Sequence, residues 1–542
     1  MKRKEYASDV LYGTYFIIAA ARCMCTASVL SVTEWNILFM QALIYLAFRF
    51  LFRSGLAEKI ETACVLALAV LTFRQCLIGL RQAFGAGLSG HVLFCCTGSF
   101  GNPGPYGGFL AVSAAILITW CSIHRKWHHK AGRILQIAAG TAASFCLILL
   151  PATQSRAGIT ALLCGIFLWH TGDRAMRRKH RMQFHKHRFR TSAVIVAGVI
   201  LLAAGSVFAY RFKKDSAYSR ILMSRISWIA IGQHPLFGSG TGGFMRAYGD
   251  ALYTHFSSGD FTEQERFAAD CAEYPFNTFL CVGVEYGLPA MAVLLMATLL
   301  SIARSIRGRS CLGYGMAALS AFAVFSYPQE LPVFQFMLPV LAASGSDGKH
   351  RYDTEGAVIA FALSLVSAAA IFSNQMHGAS VRKAERQWRS AATVYRSGHY
   401  ERAAELYAPL VPSLRYNPGF MFEYGHSLLR TGQYSKADSI LAEGSELSYD
   451  PMLLNLRGQC MQEMGDTAAA AGYYRRAFLT IPNRLYPLYL LARMRFEYGD
   501  TVGFLDTAQR IRHFVPKIES SETLRMRAET DSLRALSEIE TD

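Results

Sequence analysis

Charged residues are scarce in this sequence. Only 17% of its 542 residues are charged, and the 38 acidic residues are outnumbered by 55 Lys and Arg, which gives a formal net charge of +17. Hydrophobic residues make up 52% of the chain. This combination is unusual for a soluble protein and indicates a membrane protein of several spans with basic cytoplasmic loops.

The chain also lacks the patterns that would have indicated a zinc site or a cleaved signal peptide. Its thirteen cysteines show no zinc-ligand spacing, and a cysteine inside an apolar run packs as a small hydrophobe. Most of them lie in such runs, among them Cys23, Cys64, Cys121, Cys146, Cys164 and Cys281. Met1-Lys-Arg-Lys4 leads into the first apolar run without a small-residue cleavage pattern, so we expect the first span to act as its own insertion signal.

Long apolar runs are what the sequence has in abundance. Eleven of them approach the length of about 20 residues that crosses a bilayer core as a helix. They lie near residues 10–32, 36–53, 61–82, 104–123, 133–152, 156–171, 192–210, 283–304, 311–327, 331–344 and 355–373. The sequence therefore predicts an all-α fold, a polytopic membrane helix bundle of about eleven spans.

The basic residues between the runs predict the orientation. Cytoplasmic loops are enriched in Lys and Arg, and with the N-terminus inside all the basic connections fall on that side. These are Lys2–Lys4, Arg53–Lys59, His124–Arg133, Arg174–Arg190, Arg304–Arg309 and Lys349–Arg351. The long polar loop 210–285 and the chain after the last span are then outside. In a bacterial inner membrane this is the periplasmic face.

Three arginines lie at the predicted outer ends of spans. A charge at membrane depth is costly and indicates function, unless the side chain snorkels to the interface or pairs with another helix. Both alternatives remain open for Arg74 and Arg81 in the third predicted span. Arg156 begins the sixth predicted span after Pro151-Ala-Thr-Gln-Ser155, where backbone N–H groups and a guanidinium can hold an anion together.

Several short motifs occur in a recognisable order. They are Gly98-Ser-Phe-Gly-Asn-Pro-Gly-Pro-Tyr106, Thr153-Gln-Ser-Arg-Ala-Gly158, Arg225-Ile-Ser-Trp228, His234-Pro-Leu-Phe-Gly-Ser-Gly240, Phe276-Asn-Thr-Phe-Leu280 and Glu285-Tyr-Gly-Leu-Pro289. In this order, with a large outer loop between two spans, they resemble the O-antigen ligase and polymerase superfamily of bacterial envelope glycosyltransferases. That superfamily also includes protein O-oligosaccharyltransferases, and the resemblance covers roughly residues 60–345.

The resemblance implies transfer of a glycan from a polyprenyl-diphosphate carrier to an acceptor hydroxyl of a lipid, a glycan or a protein. It implies no cofactor and no bound metal, so fixed cations have to stabilise the leaving diphosphate. Arginine suits this role because its guanidinium is permanently charged and binds in a bidentate manner. Arg156 matches the family's Ser-Arg motif and Arg225 its loop arginine, with Arg220 as a competitor for the second position.

Two further features of the outer loop have alternative interpretations. The run Gly238-Ser-Gly-Thr-Gly-Gly243, with Gly238 and Gly240 as its candidate ligands, either cradles phosphate through its N–H groups or forms a tight turn. The segment that carries Arg220 and Arg225 either binds the donor or lies as an interfacial amphipathic helix against lipid headgroups.

The residue that activates the acceptor is a point of departure from the family. Many members carry His-Asn before the re-entry span, whereas here Phe276 precedes Asn277. The resemblance therefore carries over Asn277 as a catalytic residue but not the histidine. Glu273, His255 or Asp270 could replace that base, because a carboxylate or imidazole within hydrogen-bond reach would serve; we favour Glu273.

The C-terminal region is periodic. Gly398, Gly432, Gly465 and Gly499 recur at spacings of 34, 33 and 34 residues, and Pro418, Pro451, Pro482 and Pro516 at 33, 31 and 34. A period near 34, with Gly between the helices of a pair and Pro closing the second helix, is typical of tetratricopeptide repeats. We thus expect a membrane domain over residues 1–380 and a periplasmic repeat α-solenoid over 381–542 that recruits a partner protein.

Two functions from other classes remain as alternatives to this enzyme. One is a transporter of an anionic solute along Arg74, Arg81 and Arg156, although paired repeats and broken helices of the kind that transporters show are not evident. The other is a non-catalytic membrane anchor that displays the repeats. No nucleic-acid partner is expected, because a basic run beside a span, such as Arg174–Arg190, is usually a topology signal.

Overall fold

The computed structural model describes residues 7–25, 29–53, 56–125, 127, 130–179, 214–345 and 380–539. Within these ranges every regular element is a helix and no strand occurs. The chain divides into two compact units. The first unit contains the apolar helices, and the second combines Asp215–Tyr274 with the described part of the chain after Ser373.

Thirteen α-helices precede the C-terminal region in the part of the chain that the structure describes. They are α1 Ala7–Cys25, α2 Val29–Arg53, α3 Ala57–Ala83, α4 Pro103–Ile123, α5 Lys130–Ala152, α6 Arg156–Lys179, α7 Lys214–Gln233, α8 Phe244–Ser257, α9 Glu263–Ala268, α10 Thr278–Tyr286, α11 Leu288–Arg307, α12 Cys311–Val324 and α13 Pro332–Ala343. Helices α7, α8 and α9 belong to the second unit and the others mainly to the first.

Helices occupy the predicted spans wherever the structure describes them. Five are long and apolar enough to cross a membrane among the described residues: Glu34–Arg53, Ala57–Ala83, Pro103–Ile123, Lys130–Ala152 and Leu288–Arg307. Helices α12 and α13 are apolar but shorter. The predicted spans 192–210 and 355–373 lie outside the described residues, so a multi-pass membrane protein is indicated while the count of eleven stays a prediction.

Helix α4 is the centre of the first unit. It packs against α5, α6 and α12, and nearly all its side chains, Trp120 included, are buried. Glycines permit this close packing, because a Cβ on Gly158 of α6 would lie 2.6 Å from the carbonyl oxygen of Gly107 in α4. Small residues at such crossings let helix backbones approach closely, as is common between membrane helices.

A buried ionic cluster joins three helices of this unit, and the sequence analysis did not find it. Asp9 of α1 accepts hydrogen bonds from Arg49 Nε of α2 at 2.9 Å, from Arg304 Nη1 of α11 at 2.8 Å and from the Tyr45 hydroxyl at 2.6 Å. Arg49 Nη1 also donates to the Gly345 carbonyl oxygen at 2.8 Å. A buried arginine requires such partners, so the cluster fixes how these helices meet.

The C-terminal region continues the helix series. It contains α14 over residues 380–396, and then α15 Tyr400–Tyr407, α16 Val411–Leu414, α17 Pro418–Arg430, α18 Tyr434–Leu447, α19 Pro451–Glu463, α20 Thr467–Thr480, α21 Tyr486–Glu497, α22 Thr501–Arg512 and α23 Ser521–Ile539. From α17 onward each helix packs against the next.

The periodic glycines and prolines have distinct places in this series. Gly432 and Gly465 lie between helices at φ of 77° and 84°, a left-handed backbone that glycine adopts without strain. Pro418 and Pro451 occupy the first turn of α17 and α19, where a missing N–H is harmless. These prolines therefore open a helix rather than close the one before, and the tetratricopeptide assignment itself stays a prediction.

Candidate functional site

Arg156 is the first residue of α6. Ser155 caps the helix, because its Oγ accepts a hydrogen bond from Gly158 N at 3.1 Å and donates one to the Gly104 carbonyl oxygen at 3.3 Å. The chain enters this cap through Gln154, whose φ is +51°. The left-handed backbone of Gln154 turns the chain sharply before the cap. Arg156, whose side chain is half-buried, therefore lies at the helix N-terminus, as the sequence predicts.

Two other helix N-termini are connected to the Ser155 cap. Asn102 caps α4, and its Oδ1 accepts from Gly104 N at 2.9 Å. Asn277 caps α10, and its Oδ1 accepts from the N–H groups of residues 279 and 280 at 3.0 and 3.2 Å. Tyr327 links them, because its hydroxyl lies 3.4 Å from Asn102 Nδ2 and its ring lies 5.3 Å from that of Phe276.

This arrangement favours a negative charge. A helix N-terminus carries the equivalent of about half a positive charge and unpaired N–H groups, which makes it a ready anion site. Here α4, α6 and α10 begin within one connected set of contacts, and Arg156 is the first residue of α6. The capping role of Asn277 is a structural function that the sequence interpretation, which placed it in catalysis, did not consider.

Phe276 occupies the position where the family resemblance implies a histidine. Its φ of +50° is left-handed, which is uncommon for a bulky residue and marks a strained backbone. A small cavity of about 40 Å³ lies beside the helix that follows, with Thr278 and Gln329 among its mostly apolar lining. The Thr278 hydroxyl hydrogen-bonds Gln329 Oε1 there.

Arg74 and Arg81 lie on α3, and both side chains are exposed. Each is followed by a glutamine that holds the segment before α4. Gln75 Nε2 donates to Ser99 Oγ at 2.7 Å, and Gln82 accepts from Gly98 N at 2.8 Å. The repeated Arg-Gln pair, seven residues apart, is a sequence signal for this anchoring that the sequence analysis missed.

An open groove of about 320 Å³ adjoins these glutamines. It is lined by Leu71, Gln75, Ser99, Phe100, Phe109, Leu331, Pro332 and Val333. The lining is mostly apolar, with polar groups confined to Gln75 and Ser99. Such a surface suits a hydrocarbon chain better than a sugar.

The second unit contains Arg225, on α7. Its guanidinium Nη1 donates to Glu265 Oε1 of α9, and its side chain is 54% exposed while that of Glu265 is 11% exposed. Burial would raise the pKa of Glu265, but the hydrogen bond from Thr262 N and the charge of Arg225 outweigh it and lower that pKa. Glu265 is therefore an ionised, fixed anchor for an arginine whose other donors face solvent. Arg220 lies on the same helix and is half-buried.

His255 is buried beside this pair. Its Nε2 lies 3.8 Å from Glu265 Oε2. Burial lowers its pKa, and the Arg225 charge adds to this, while Glu265 and Asp260 oppose it. A neutral, buried imidazole supports the position of Glu265 and is poorly placed to reach an acceptor.

The glycine run of the loop forms tight turns. Gly238, Gly240 and Gly242 have φ of 65°, 98° and 69°, which glycine adopts without the penalty that a Cβ would bring. The N–H of Gly238 donates to the His234 carbonyl oxygen at 2.9 Å, and that of Gly243 donates to Gly240 O at 3.0 Å. Both of these N–H groups are thus already satisfied, and a phosphate role for Gly238 and Gly240 stays a prediction.

The two carboxylates considered as bases differ in their surroundings. Asp270 accepts from Cys271 N at 2.9 Å and lies 3.7 Å from Lys517 Nζ. Glu273 is exposed. Among the described residues its carboxylate forms no ion pair, unlike that of Asp270. The preference for Glu273 as the base stays a prediction.

Comparison with known proteins gives a family for part of the chain. Residues 141–295 match the family model described as O-Antigen ligase. The match supports the O-antigen ligase superfamily. No curated protein matches the chain.

The O-antigen ligase match covers most of the candidate residues. Arg156, Arg225 and Asn277 lie inside it, together with Arg220, Gly238, Gly240 and Glu273, whereas Arg74 and Arg81 lie before it. With the apolar helices, it supports a multi-pass membrane glycosyltransferase of the O-antigen ligase or polymerase type.

Proposed function

We propose that this protein transfers an oligo- or polysaccharide from a polyprenyl-diphosphate carrier to an acceptor hydroxyl on the periplasmic face of the bacterial inner membrane. The observation that carries the proposal is the O-antigen ligase match over residues 141–295. It contains the arginines that the reaction requires, and one of them begins a helix in a group of three connected helix N-termini.

The donor diphosphate binds at the start of α6. As the acceptor oxygen attacks the anomeric carbon, the bond from that carbon to the diphosphate breaks, and negative charge grows on the phosphate oxygens. Arg156 and the N–H groups of the first turn of α6 stabilise this charge, which is how a fixed polar site lowers a barrier. The apolar groove between Leu71 and Val333 receives the polyprenyl chain.

The family resemblance implies that Arg225, which Glu265 holds, also binds the donor diphosphate. One guanidinium nitrogen is engaged by the carboxylate, which leaves further donors of the same fork for phosphate oxygens. Glu273 takes the proton of the acceptor hydroxyl. No cofactor is required beyond the lipid-linked donor.

The C-terminal helices are tetratricopeptide repeats that bind a protein partner, either the acceptor or a partner enzyme. This proposal rests on the 33–34-residue recurrence of the turn glycines and on the successive packing of α17 to α22. A groove of about 390 Å³ on these helices has a polar lining. Its residues include Arg430, Gln459, Gln462, Arg493 and Glu497.

The decisive experiment compares glycans of a strain that lacks the gene with the same strain carrying wild type, Arg156→Ala or Arg307→Ala. Arg307 is an exposed arginine in the last turn of α11, whereas Arg156 begins α6. Its variant therefore controls for the loss of a cation. We expect the deletion to accumulate carrier-linked glycan and lose the transferred product. Wild type and Arg307→Ala restore the product, and Arg156→Ala does not.

The product that disappears then identifies the acceptor as lipid, glycan or protein. An unchanged glycan profile in the deletion strain refutes the proposed function. Full activity of Arg156→Ala at wild-type abundance refutes the placement of the donor diphosphate at the start of α6.

A further inference from the structure

The loop that carries Arg225 and the C-terminal helices form one compact unit. Helix α8 packs against α18 and α20. Gly249 of α8 permits this contact, because a Cβ there would lie 2.2 Å from Tyr449 Cβ. The loop and the C-terminal region are therefore in intimate packing contact along more than one helix.

The buried part of this interface consists of hydrogen bonds to the backbone of the loop. Asn483, which is 8% exposed, donates through Nδ2 to the carbonyl oxygens of Arg266 at 2.9 Å and Ala269 at 2.6 Å. The Tyr449 hydroxyl accepts from Ala272 N at 2.5 Å. A buried carbonyl that loses its donor carries a large desolvation penalty. These buried hydrogen bonds therefore contribute more to the interface than the exposed ion pair between Arg476 and Asp250 at 2.8 Å.

Arg266 makes the reverse contact, from the loop to the C-terminal region. Its Nη2 donates to the Val515 carbonyl oxygen at 3.0 Å, and its Nη1 donates to that of Pro482 at 3.4 Å. The guanidinium also lies over the Phe514 ring at 5.4 Å. The side chain is 8% exposed, so it is a buried cation that pairs with Glu263 of its own helix at 2.9 Å and donates to two carbonyls from the far end of the sequence.

Helix α9 joins these contacts to the candidate site. Glu265 and Arg266 are neighbours on it: the first holds Arg225, and the second holds the C-terminal region. The carbonyls at the end of the same six-residue helix receive Asn483. A helix this short has little stability of its own, so its position depends on what holds each side.

We propose that the C-terminal region positions Arg225 for the transfer reaction through α9, with Asn483 and Arg266 as the positioning residues. This inference rests on the proposed function and extends it. The repeats are then a structural part of the transfer site as well as a surface for a partner.

The test uses the full chain and a double-mutant cycle. We expect Asn483→Ala to lower transfer from the lipid-linked donor about tenfold, since the loop carbonyls of Arg266, Phe267 and Ala269 lose their donor. In an Arg225→Lys background, which retains the charge and residual transfer, the same change lowers the rate by less than about threefold. Asn455→Ala is the matched control, because Asn455 is 1% exposed and its Nδ2 contacts Met452 Sδ in its own helix.

Amide hydrogen exchange gives a second readout that does not depend on transfer. In Asn483→Ala the amides of residues 263–269 should exchange faster, while those of 418–447 keep their protection. Tyr449→Phe is a milder variant that keeps the ring and removes only the hydroxyl, so it serves if Asn483→Ala does not fold. We expect from it a loss of transfer of about threefold and faster exchange near residue 272.

Three results overturn the inference. They are equal losses from Asn483→Ala in both backgrounds, losses of the same size from Asn455→Ala, and wild-type exchange both at residues 263–269 in Asn483→Ala and near residue 272 in Tyr449→Phe. Failure of the proposed function is distinct from these: the deletion strain would keep its glycan profile while the exchange readout still reports whether α9 is held.

Discussion

Asn277 provides a sharp test of whether a residue acts in chemistry or in holding a helix. Its Oδ1 accepts hydrogen bonds from two N–H groups of the first turn of α10, at 3.0 and 3.2 Å. Replacing it with alanine removes this acceptor, whereas replacing it with serine keeps an oxygen that can cap. An asparagine or serine cap is worth about 1 kcal/mol relative to alanine, roughly fivefold in an equilibrium constant.

We expect Asn277→Ala to speed amide exchange of Phe279 and Leu280 by about fivefold, because the opened state of the first turn becomes that much more populated. Asn277→Ser should exchange like wild type. Transfer measured in membranes should follow the same order, with serine close to wild type and alanine reduced. The purified protein in lipid nanodiscs suits the exchange measurement.

Asn417→Ala is the matched control for this pair. Asn417 caps α17 in the C-terminal region by accepting from Phe420 N at 3.1 Å, so its loss should speed exchange there and leave transfer near wild type. If Asn277→Ser abolishes transfer while its exchange is normal, the side-chain amide takes part in the reaction and the capping interpretation is refuted.

Three further predictions address packing and pH. Gly158→Ala should cost about 1–3 kcal/mol of stability, seen as a lower melting temperature in detergent, because its Cβ would lie 2.6 Å from a carbonyl oxygen of α4; Gly140→Ala, where a Cβ meets nothing within 4 Å, should have little effect. Gly249→Val should loosen α8 from α18 and α20 and expose the loop to protease, and unchanged cleavage would contradict the packing described for Tyr449. His255 has a pKa lowered by burial below its ordinary 6.5. The stability that its neutral imidazole gives the folded protein is therefore complete above pH 6.5 and declines as the pH falls through the lowered value. Exchange in α8 should accelerate over that pH range, and His255→Gln should flatten the pH dependence.

The sequence was most informative where the physical rule is local. The apolar run predicted over 61–82 corresponds to α3, Ala57–Ala83, because a helix is the way for an apolar segment to satisfy its backbone in lipid. Arg156 was placed at a helix start because the apolar run begins there, directly after Ser155, and Ser155 is the cap. The same reasoning applied to Asn277 before an apolar run would have predicted a cap there as well.

What escaped the sequence depends on contacts distant along the chain. Asn483 donates to loop carbonyls 214 and 217 residues away. Nothing in the sequence around it distinguishes it from an asparagine without such partners. Glu265 was likewise missed, since a capping box with Thr262 explains its presence locally, and its partner Arg225 lies 40 residues earlier. Backbone acceptors leave no sequence signature, so such contacts become visible only in a folded chain.

The hydrogen bonds of Arg266 also bear on how the chain is made. The Pro482 carbonyl that this arginine reaches is synthesised 216 residues later. At about 5–20 residues per second, a ribosome needs roughly 10–40 s for that length. During this interval the loop has been produced while the groups that complete it do not yet exist. A nascent chain interrupted within the repeats would therefore release a loop whose carbonyls at Arg266 and Ala269 lack the donor that Asn483 supplies, a form that chaperones and proteases recognise.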